Sequence, residues 1–385
     1  MEDEIAPAFM KANPDIIVRF EPAAKSYEAA NEYILEKGKS GRPMPHLSLQ
    51  GYSRQKILIE KGLAVALNKF ISSDEKWQSH GLNPKALSLT TFDEKIYALP
   101  FTLSTPILLY NADLVRRAGG DPDDLPKSWN GILKLARKIN GLGNEIHGLN
   151  YVWNLTGNWM FQALIFSKGG EMMLSDGTTL GFTGPAGQFA CQLIDRMVKE
   201  TQMPNLTEMQ SIKMMAKGQL GILAFSCGDL DYVQKISDGK VEFRVAPFPE
   251  VVTQKGRLPV GGTAVMMHTK DPKIQQAAWK FIKFLTGPQA QTMQVQNMSY
   301  MPVNTLAMQM PDLLGNYFES HPERRVGATQ ITLIREWYAF PGPNGLKISK
   351  VIEHHLERIV RQTASPEQAL EDMATEVKTL LPSSE

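Results

Sequence analysis

Cysteine is nearly absent from this chain: Cys191 and Cys227 are the only two in 385 residues. A disulfide framework is therefore not what holds the fold, and without a Cys-x-x-Cys pair a structural zinc site has little to build on. A surplus of one charge is also lacking. With 41 basic and 40 acidic residues the formal net charge is +1. No broad field attracts nucleic acid or an anionic membrane surface, and a ligand has to be recognised by local groups. No apolar run approaches the roughly 20 residues that a membrane-spanning helix requires. The opening Met1-Glu2-Asp3-Glu4-Ile5 has no basic stretch followed by an apolar one and does not read as a secretion signal. Neither an internal repeat nor a low-complexity tract is present, which points away from a solenoid or a disordered tail.

What is present is length and alternation. At 385 residues the chain is about twice the ordinary single-domain size, so two lobes of α/β type are expected. Glu4 to Ala12 reads as a helix stopped by Asn13-Pro14, and Asp15 to Phe20 reads as a buried strand. A helix from Tyr27 to Glu36 then precedes a short strand at His46 to Leu49, and Lys56 to Gly62 is a further short helix. Ile96 to Pro100 and Ile107 to Tyr110 are strand-like, flanking the irregular Thr102-Leu103-Ser104-Thr105-Pro106.

From Ala112 longer helices follow, at Ala112 to Ala118, Trp129 to Ile139, Trp159 to Lys168, Pro185 to Glu200 and Ile212 to Lys217. Strands are expected at Gly221 to Ser226, Phe243 to Ala246 and Thr263 to His268. Pro272 to Leu285 is strongly amphipathic, with Ala277, Ala278, Phe281, Ile282 and Leu285 on one face. The last 75 residues are mainly helical.

The run Lys95-Ile96-Tyr97-Ala98-Leu99-Pro100-Phe101-Thr102-Leu103-Ser104-Thr105-Pro106-Ile107-Leu108-Leu109-Tyr110-Asn111 resembles the signature of family 1 extracellular solute-binding proteins. Ala118-Gly119, Asp121-Pro122 and Pro126-Lys127-Ser128-Trp129 extend it in the family's order. Further matches are Lys217-Gly218 before a strand ending Phe225-Ser226, Gly261-Gly262, Ala278-Trp279-Lys280-Phe281, Tyr300-Met301-Pro302-Val303 and Ser365-Pro366-Glu367-Gln368-Ala369-Leu370. The similarity spans nearly the whole chain and is greatest to glycerol-3-phosphate and glycerophosphodiester binders.

The resemblance implies an α/β fold of the two-lobed periplasmic-binding-protein type (type II), with discontinuous domains joined by a hinge that closes on ligand. It places residues 1–110 and 260–310 in an amino-terminal lobe, and 111–259 and 311–385 in a helix-rich carboxy-terminal lobe. Crossings are expected at Tyr110-Asn111, Pro259 to Gly262 and about Met310. Relatives begin with a strand ahead of the first helix, and here that strand is expected to be missing. The implied setting is periplasmic or extracytoplasmic, as a monomer delivering a small-molecule ligand to the permease subunits of an ABC importer, with no cofactor.

Sugars and polyols present apolar faces ringed by hydroxyls, so an aromatic platform beside hydroxyl and backbone donors is the expected site. Trp153, in Gly148-Leu149-Asn150-Tyr151-Val152-Trp153-Asn154, is the first platform candidate. The competing reading is a tryptophan packed beneath a loop. Trp159 and Tyr151 are second choices, and Trp129 is expected to be structural. The resemblance implies ligand contacts from Tyr27, Ser104, Ser226, Gly262 and Tyr300, each of which has turn or capping duty as its plain alternative.

Two positions depart from the glycerol-3-phosphate pattern. The family's glutamate falls near Tyr52 or Ser53, and its phosphate-pairing arginine falls near Ser349, beside Lys350. A dianion there would lack its bidentate partner, which favours a neutral saccharide, with a phosphodiester next.

Catalysis finds little support. There is no His-Glu-x-x-His and no phosphate loop, and His354-His355, adjacent on a helix, point about 100 degrees apart and do not form a chelate. Catalytic and metal residues are therefore expected to be none. A saccharide-active enzyme and a surface adhesion or sensing protein remain the alternatives from other classes.

Overall fold

A computed structural model describes residues 1–252 and 254–382. The chain divides into two compact units, Met1–Ser104 with Val260–Thr332 (unit 1), and Thr105–Pro259 with Leu333–Glu385 (unit 2). The crossings fall after residues 104, 259 and 332, where the sequence suggested Tyr110-Asn111, Pro259 to Gly262 and Met310. The strands that position the residues of interest are β1 (Leu47–Gly51), β2 (Ala98–Pro100), β3 (Pro106–Asn111), β4 (His147–Tyr151), β5 (Leu220–Ser226), β6 (Phe243–Pro247) and β7 (Thr263–Met267).

Unit 1 is built on an antiparallel sheet in the order β1-β7-β2. Leu47 pairs with Met267 and Gly51 with Thr263, while Ala264 pairs with Pro100 and Met266 with Ala98. The apolar face of this sheet is covered by the helices Ile5–Ala12 and Pro272–Leu285. Their residues Ile5, Phe9, Trp279, Phe281, Ile282 and Leu285 join Leu99, Phe101, Val265 and Met267 in one buried cluster. Asp271 caps the longer helix, accepting from the Lys273 and Ile274 N–H groups, with Pro272 in the first turn where its missing N–H costs nothing.

The strand expected at Asp15 to Phe20 is not formed. Ile16 and Val18 pack against the core cluster while Ile17 is 71% exposed, so the period-2 alternation is kept, but no neighbouring strand pairs with it. Alternation specifies which side faces the core; a strand also needs a partner for its backbone groups.

Unit 2 carries a mixed four-stranded sheet in the order β4-β5-β3-β6. β4 and β5 run parallel, with Tyr151 opposite Ala224, whereas β3 is antiparallel to both β5 and β6, with Pro106 opposite Ser226. All six residues of β3 and all seven of β5 are buried, as a strand covered on both faces by helices requires. The helix Trp159–Ser167 is buried along its whole length; Pro185–Thr201 packs against it, and Pro366–Leu380 packs in turn against Pro185–Thr201.

Phe9 is 1% exposed and lies 4.9 Å from the Phe281 ring and 5.4 Å from Phe284, which makes the first helix a structural part of the unit 1 core. Phe9→Ala should cost about 3–5 kcal/mol. Urea unfolding followed by tryptophan fluorescence would check this, and a loss well under 1 kcal/mol would show the helix to be dispensable.

Candidate functional site

In unit 1 the five residues singled out from sequence gather around Thr102-Leu103-Ser104. Tyr52 follows the end of β1 and is 5% exposed, and its hydroxyl donates to the Thr102 carbonyl at 3.1 Å. Burial, with the nearby Tyr27, raises the Tyr52 phenol well above its ordinary range and keeps it a donor. Tyr27 opens the helix Tyr27–Ser40, capped by Ser26, and its ring lies so close over Gly51 that a Cβ there would come within 3.0 Å.

Gly262 adopts φ +101, and a Cβ on it would stand 2.3 Å from the Thr102 carbonyl oxygen. Only glycine fits that close approach. Ser104 is 3% exposed and exchanges two backbone hydrogen bonds with Gly261, at 2.9 and 3.0 Å. Tyr300 is half-buried and precedes Met301, whose N–H donates to the Leu103 carbonyl at 2.7 Å.

Beside Ser53, named from the sequence, the turn after β1 holds polar groups that sequence reasoning missed. Ser53 is 8% exposed and Gln55 fully buried; the Ser53 hydroxyl and both amide atoms of Gln55 have no hydrogen-bond partner. Arg54, between them, forms an ion pair with Glu28 at 2.8 Å, which holds the Glu28 carboxyl below its ordinary range against the opposing effect of burial.

In unit 2 the residues of interest stand at the ends of β4 and β5. Ser226 closes β5 and is 8% exposed, and its hydroxyl accepts from the Gly228 N–H at 3.1 Å, capping the next turn. Trp153 follows β4. It is 3% exposed, and its indole N–H has no acceptor. Ser349 lies on the helix Gly345–Val360, donates to the Gly345 carbonyl at 3.2 Å, and accepts from Asn158 at 3.5 Å. Asn158 in turn accepts from the Trp337 indole at 3.0 Å. The loop after β4 therefore reaches both Ser226's strand and Ser349's helix.

Among the other aromatic candidates, Tyr151 is a correction. It is fully buried, and its hydroxyl is committed to the Met160 carbonyl at 2.7 Å, so it is a core residue and not a platform. Trp159 is also buried, at 3% exposure, with its indole N–H unpartnered. Trp129 packs edge-on against Tyr151 and Phe248 at 5.9 and 5.5 Å.

Of the histidine pair, His355 is 4% exposed and committed to Glu376 and Arg358 at 3.1 and 3.0 Å, with its pKa lowered by burial. Among the described residues no group of three or more His, Cys, Asp or Glu side chains could hold a metal ion. No described helix is long and apolar enough to cross a membrane. Both cysteines are free and buried, with thiols pushed up to about 12 by burial.

The second group that sequence reasoning missed is a carboxyl pair, Glu208 and Asp229, 21 positions apart and without any spacing signal. Burial first, and then the neighbouring Asp229, push the Glu208 carboxyl up to about 8, while burial also raises Asp229. The folded chain thus holds a proton between the ordinary carboxyl range and about pH 8 that the unfolded chain releases. The pair's stabilising effect is complete at low pH and is lost as the pH rises toward 8. Relative to the wild type, Glu208→Gln should therefore gain stability between about pH 5 and pH 8, by a few degrees in Tm. Differential scanning fluorimetry of both proteins would check this, and parallel curves would contradict the shared proton.

Residues 4–323 match the model of the bacterial extracellular solute-binding protein family. The sn-glycerol-3-phosphate-binding periplasmic protein UgpB of Salmonella typhimurium is 22% identical, over 96% of this chain and 86% of that protein. A putative binding protein of Brucella abortus is 24% identical, over 98% and 89%.

Among solved structures, UgpB from Mycobacterium tuberculosis in complex with glycerophosphocholine aligns with a TM-score of 0.85 at 22% identity, covering 98% of this chain and 94% of that one. The GacH receptor of Streptomyces glaucescens, solved unliganded and with acarbose, gives 0.80 at 18%, covering 100% and 95%. Maltose-bound T. maritima MalE3 gives 0.80 at 20%, covering 99% and 96%. The chain shares their fold, and its match to the family model over most of its length makes it a member of the bacterial extracellular solute-binding protein family.

Proposed function

We propose that this protein is the extracytoplasmic solute-binding subunit of an ABC importer and that its ligand is a small hydroxyl-rich molecule, a neutral saccharide or polyol. Tyr27, Tyr52, Ser104, Gly262 and Tyr300 of unit 1, and Trp153, Ser226 and Ser349 of unit 2, are the proposed contacts. The observation that carries the reading is Trp153: a buried indole whose N–H lacks an acceptor, on a loop between two of the other candidates. An unpartnered buried donor is costly, and a ligand hydroxyl is a suitable acceptor. The ligands in the structures of relatives, acarbose, maltose and glycerophosphocholine, are all rich in polar oxygen.

A glycerophosphodiester is the second reading, favoured by the relatives' names. Against glycerol-3-phosphate itself, Ser349 stands where an arginine would pair the phosphate, and Arg54 is engaged by Glu28. The family relatives are binding proteins, and the proposal is of capture and delivery to a permease without turnover.

A thermal-shift panel of mono-, di- and trisaccharides, polyols, glycerol-3-phosphate and glycerophosphodiesters tests the reading, since ligand that binds only the folded state raises Tm. A saturable shift with a neutral member and no product by chromatography is the expected result; product formation would transfer the protein to the enzymes. Trp153→Ala, with the fold intact by circular dichroism, should weaken binding by more than ~1 kcal/mol. Unchanged affinity would remove Trp153 from the site.

A further inference from the structure

The helix Tyr27–Ser40 carries Tyr27 on its first turn, yet it has little apolar surface to hold it in place. Of its 14 residues only Asn31 and Ile34 are buried. A helix of a globular lobe is ordinarily fixed by an apolar stripe. Here one of the two buried side chains is an amide, so polar bonds have to set where the helix lies.

Those bonds form one chain across β1. Leu47 and Leu49 pack against the apolar cluster, and alternation turns Ser48 and Gln50 to the opposite side. His268, just after β7 and 2% exposed, lies 2.6 Å through Nδ1 from the Leu63 carbonyl oxygen. A carbonyl only accepts, so Nδ1 carries the hydrogen, and burial lowers the pKa and keeps the ring neutral. Nε2 is then an acceptor and takes the Ser48 hydroxyl hydrogen at 2.7 Å. The Ser48 oxygen accepts from Gln50 Nε2 at 3.0 Å, and Gln50 Oε1 accepts from Asn31 Nδ2 at 3.3 Å. The second hydrogen of the Asn31 amide goes to the Arg54 carbonyl at 2.8 Å. Every donor from Asn31 to His268 points the same way, which dictates how the Asn31 amide is turned. Reversed, its oxygen would face two acceptor oxygens.

Asn31 stands one helical turn from Tyr27. The same turn carries Glu28, whose carboxylate accepts from the Arg54 guanidinium at 2.8 Å. The helix therefore grips Arg54 twice, at its carbonyl through Asn31 and at its side chain through Glu28. Arg54 is two residues past Tyr52, and the ring of Tyr27 lies against Gly51. The grip and the tyrosines thus share one short stretch of chain.

We propose that Asn31 is a positioning residue of the ligand site: by donating to both Gln50 and Arg54 it fixes the helix Tyr27–Ser40 on β1 and so sets Tyr27 beside Tyr52 for a hydroxyl-bearing ligand. It acts through Tyr27 and not by contact with the ligand. The assignment rests on the solute-binding reading above.

Asn31→Asp is the variant of choice, because it keeps the side-chain volume and removes both donors. Where it does not fold, Asn31→Ala, which brings in no charge, carries the same readouts. Hydrogen–deuterium exchange of the full chain needs no ligand. Exchange across Tyr27–Ser40 should rise about tenfold or more while the helix Pro272–Leu285 keeps its wild-type rates. Isothermal titration with maltose, glycerol, glycerol-3-phosphate and glycerophosphocholine then follows whichever probe binds the wild type most tightly. The variant should weaken that probe about tenfold, and in a Tyr27→Ala background it should weaken it no further. In a Ser226→Ala background its effect should add in full. Unchanged exchange with a probe that binds would overturn the role of Asn31 and leave the solute-binding reading intact. An equal loss of affinity with and without Tyr27 would overturn it likewise, since the effect would then not pass through that ring. If no probe binds the wild type, the ligand class proposed above is overturned and the role assigned to Asn31 falls with it.

Discussion

The carbonyl oxygen of Thr102 is the atom on which the arrangement of unit 1 depends. It accepts from the Tyr52 hydroxyl at 3.1 Å and from the Thr263 N–H at 3.2 Å, and it lies so close to Gly262 that any side chain there would collide with it. The Thr102 hydroxyl adds a bond to the Thr263 hydroxyl at 3.0 Å and accepts from the Thr263 N–H at 2.9 Å. One residue thus fixes how the end of β1, the chain leaving β2 and the entry to β7 meet. Tyr27, over Gly51, and Tyr300, beside the strand-like pairing of Met301 with Leu103, are placed by the same junction. Side chains gathered at strand ends on a rigid frame are better held than side chains on free loops.

Unit 2 reaches a comparable gathering by different means. Its parallel pair β4 and β5 delivers Trp153 and Ser226 from neighbouring strand ends, as open sheets do at their carboxyl edges. Glu208 opens a helix whose start is satisfied by the Thr207–Gln210 capping box, whereas Asp229 precedes a helix with no side-chain cap.

Much of this was legible in the sequence, for reasons that differ from element to element. The helix Pro272–Leu285 is readable to the residue because its cap, its first-turn proline and its apolar stripe all agree. The strands β3 and β5 announce themselves as short apolar runs bounded by turn residues. Asp15 to Phe20 misleads because alternation is a property of the segment, whereas pairing is a property of its neighbours. Tyr151 and Trp153 lie two positions apart in one loop-bounded stretch, and only the three-dimensional placement separates the core tyrosine from the tryptophan with an open indole N–H. Gln55 has no motif around it. Glu208 and Asp229 are brought together by the packing of two helices, which no local pattern encodes.

The central strand of the unit 1 sheet, β7, enters the chain 163 residues after β2 ends, counting from Pro100 to Thr263. Until that strand arrives, β1 and β2 have no common neighbour, and the apolar faces of the first helix and of Leu99 and Phe101 have no helix Pro272–Leu285 to cover them. Unit 2, by contrast, holds its whole four-stranded sheet within residues 106–247. The chain therefore carries an order of events in its connectivity. The larger sheet can close on local information, while the other half waits on a long loop closure and stays exposed to chaperones, proteases and its own kind for as long as that closure takes.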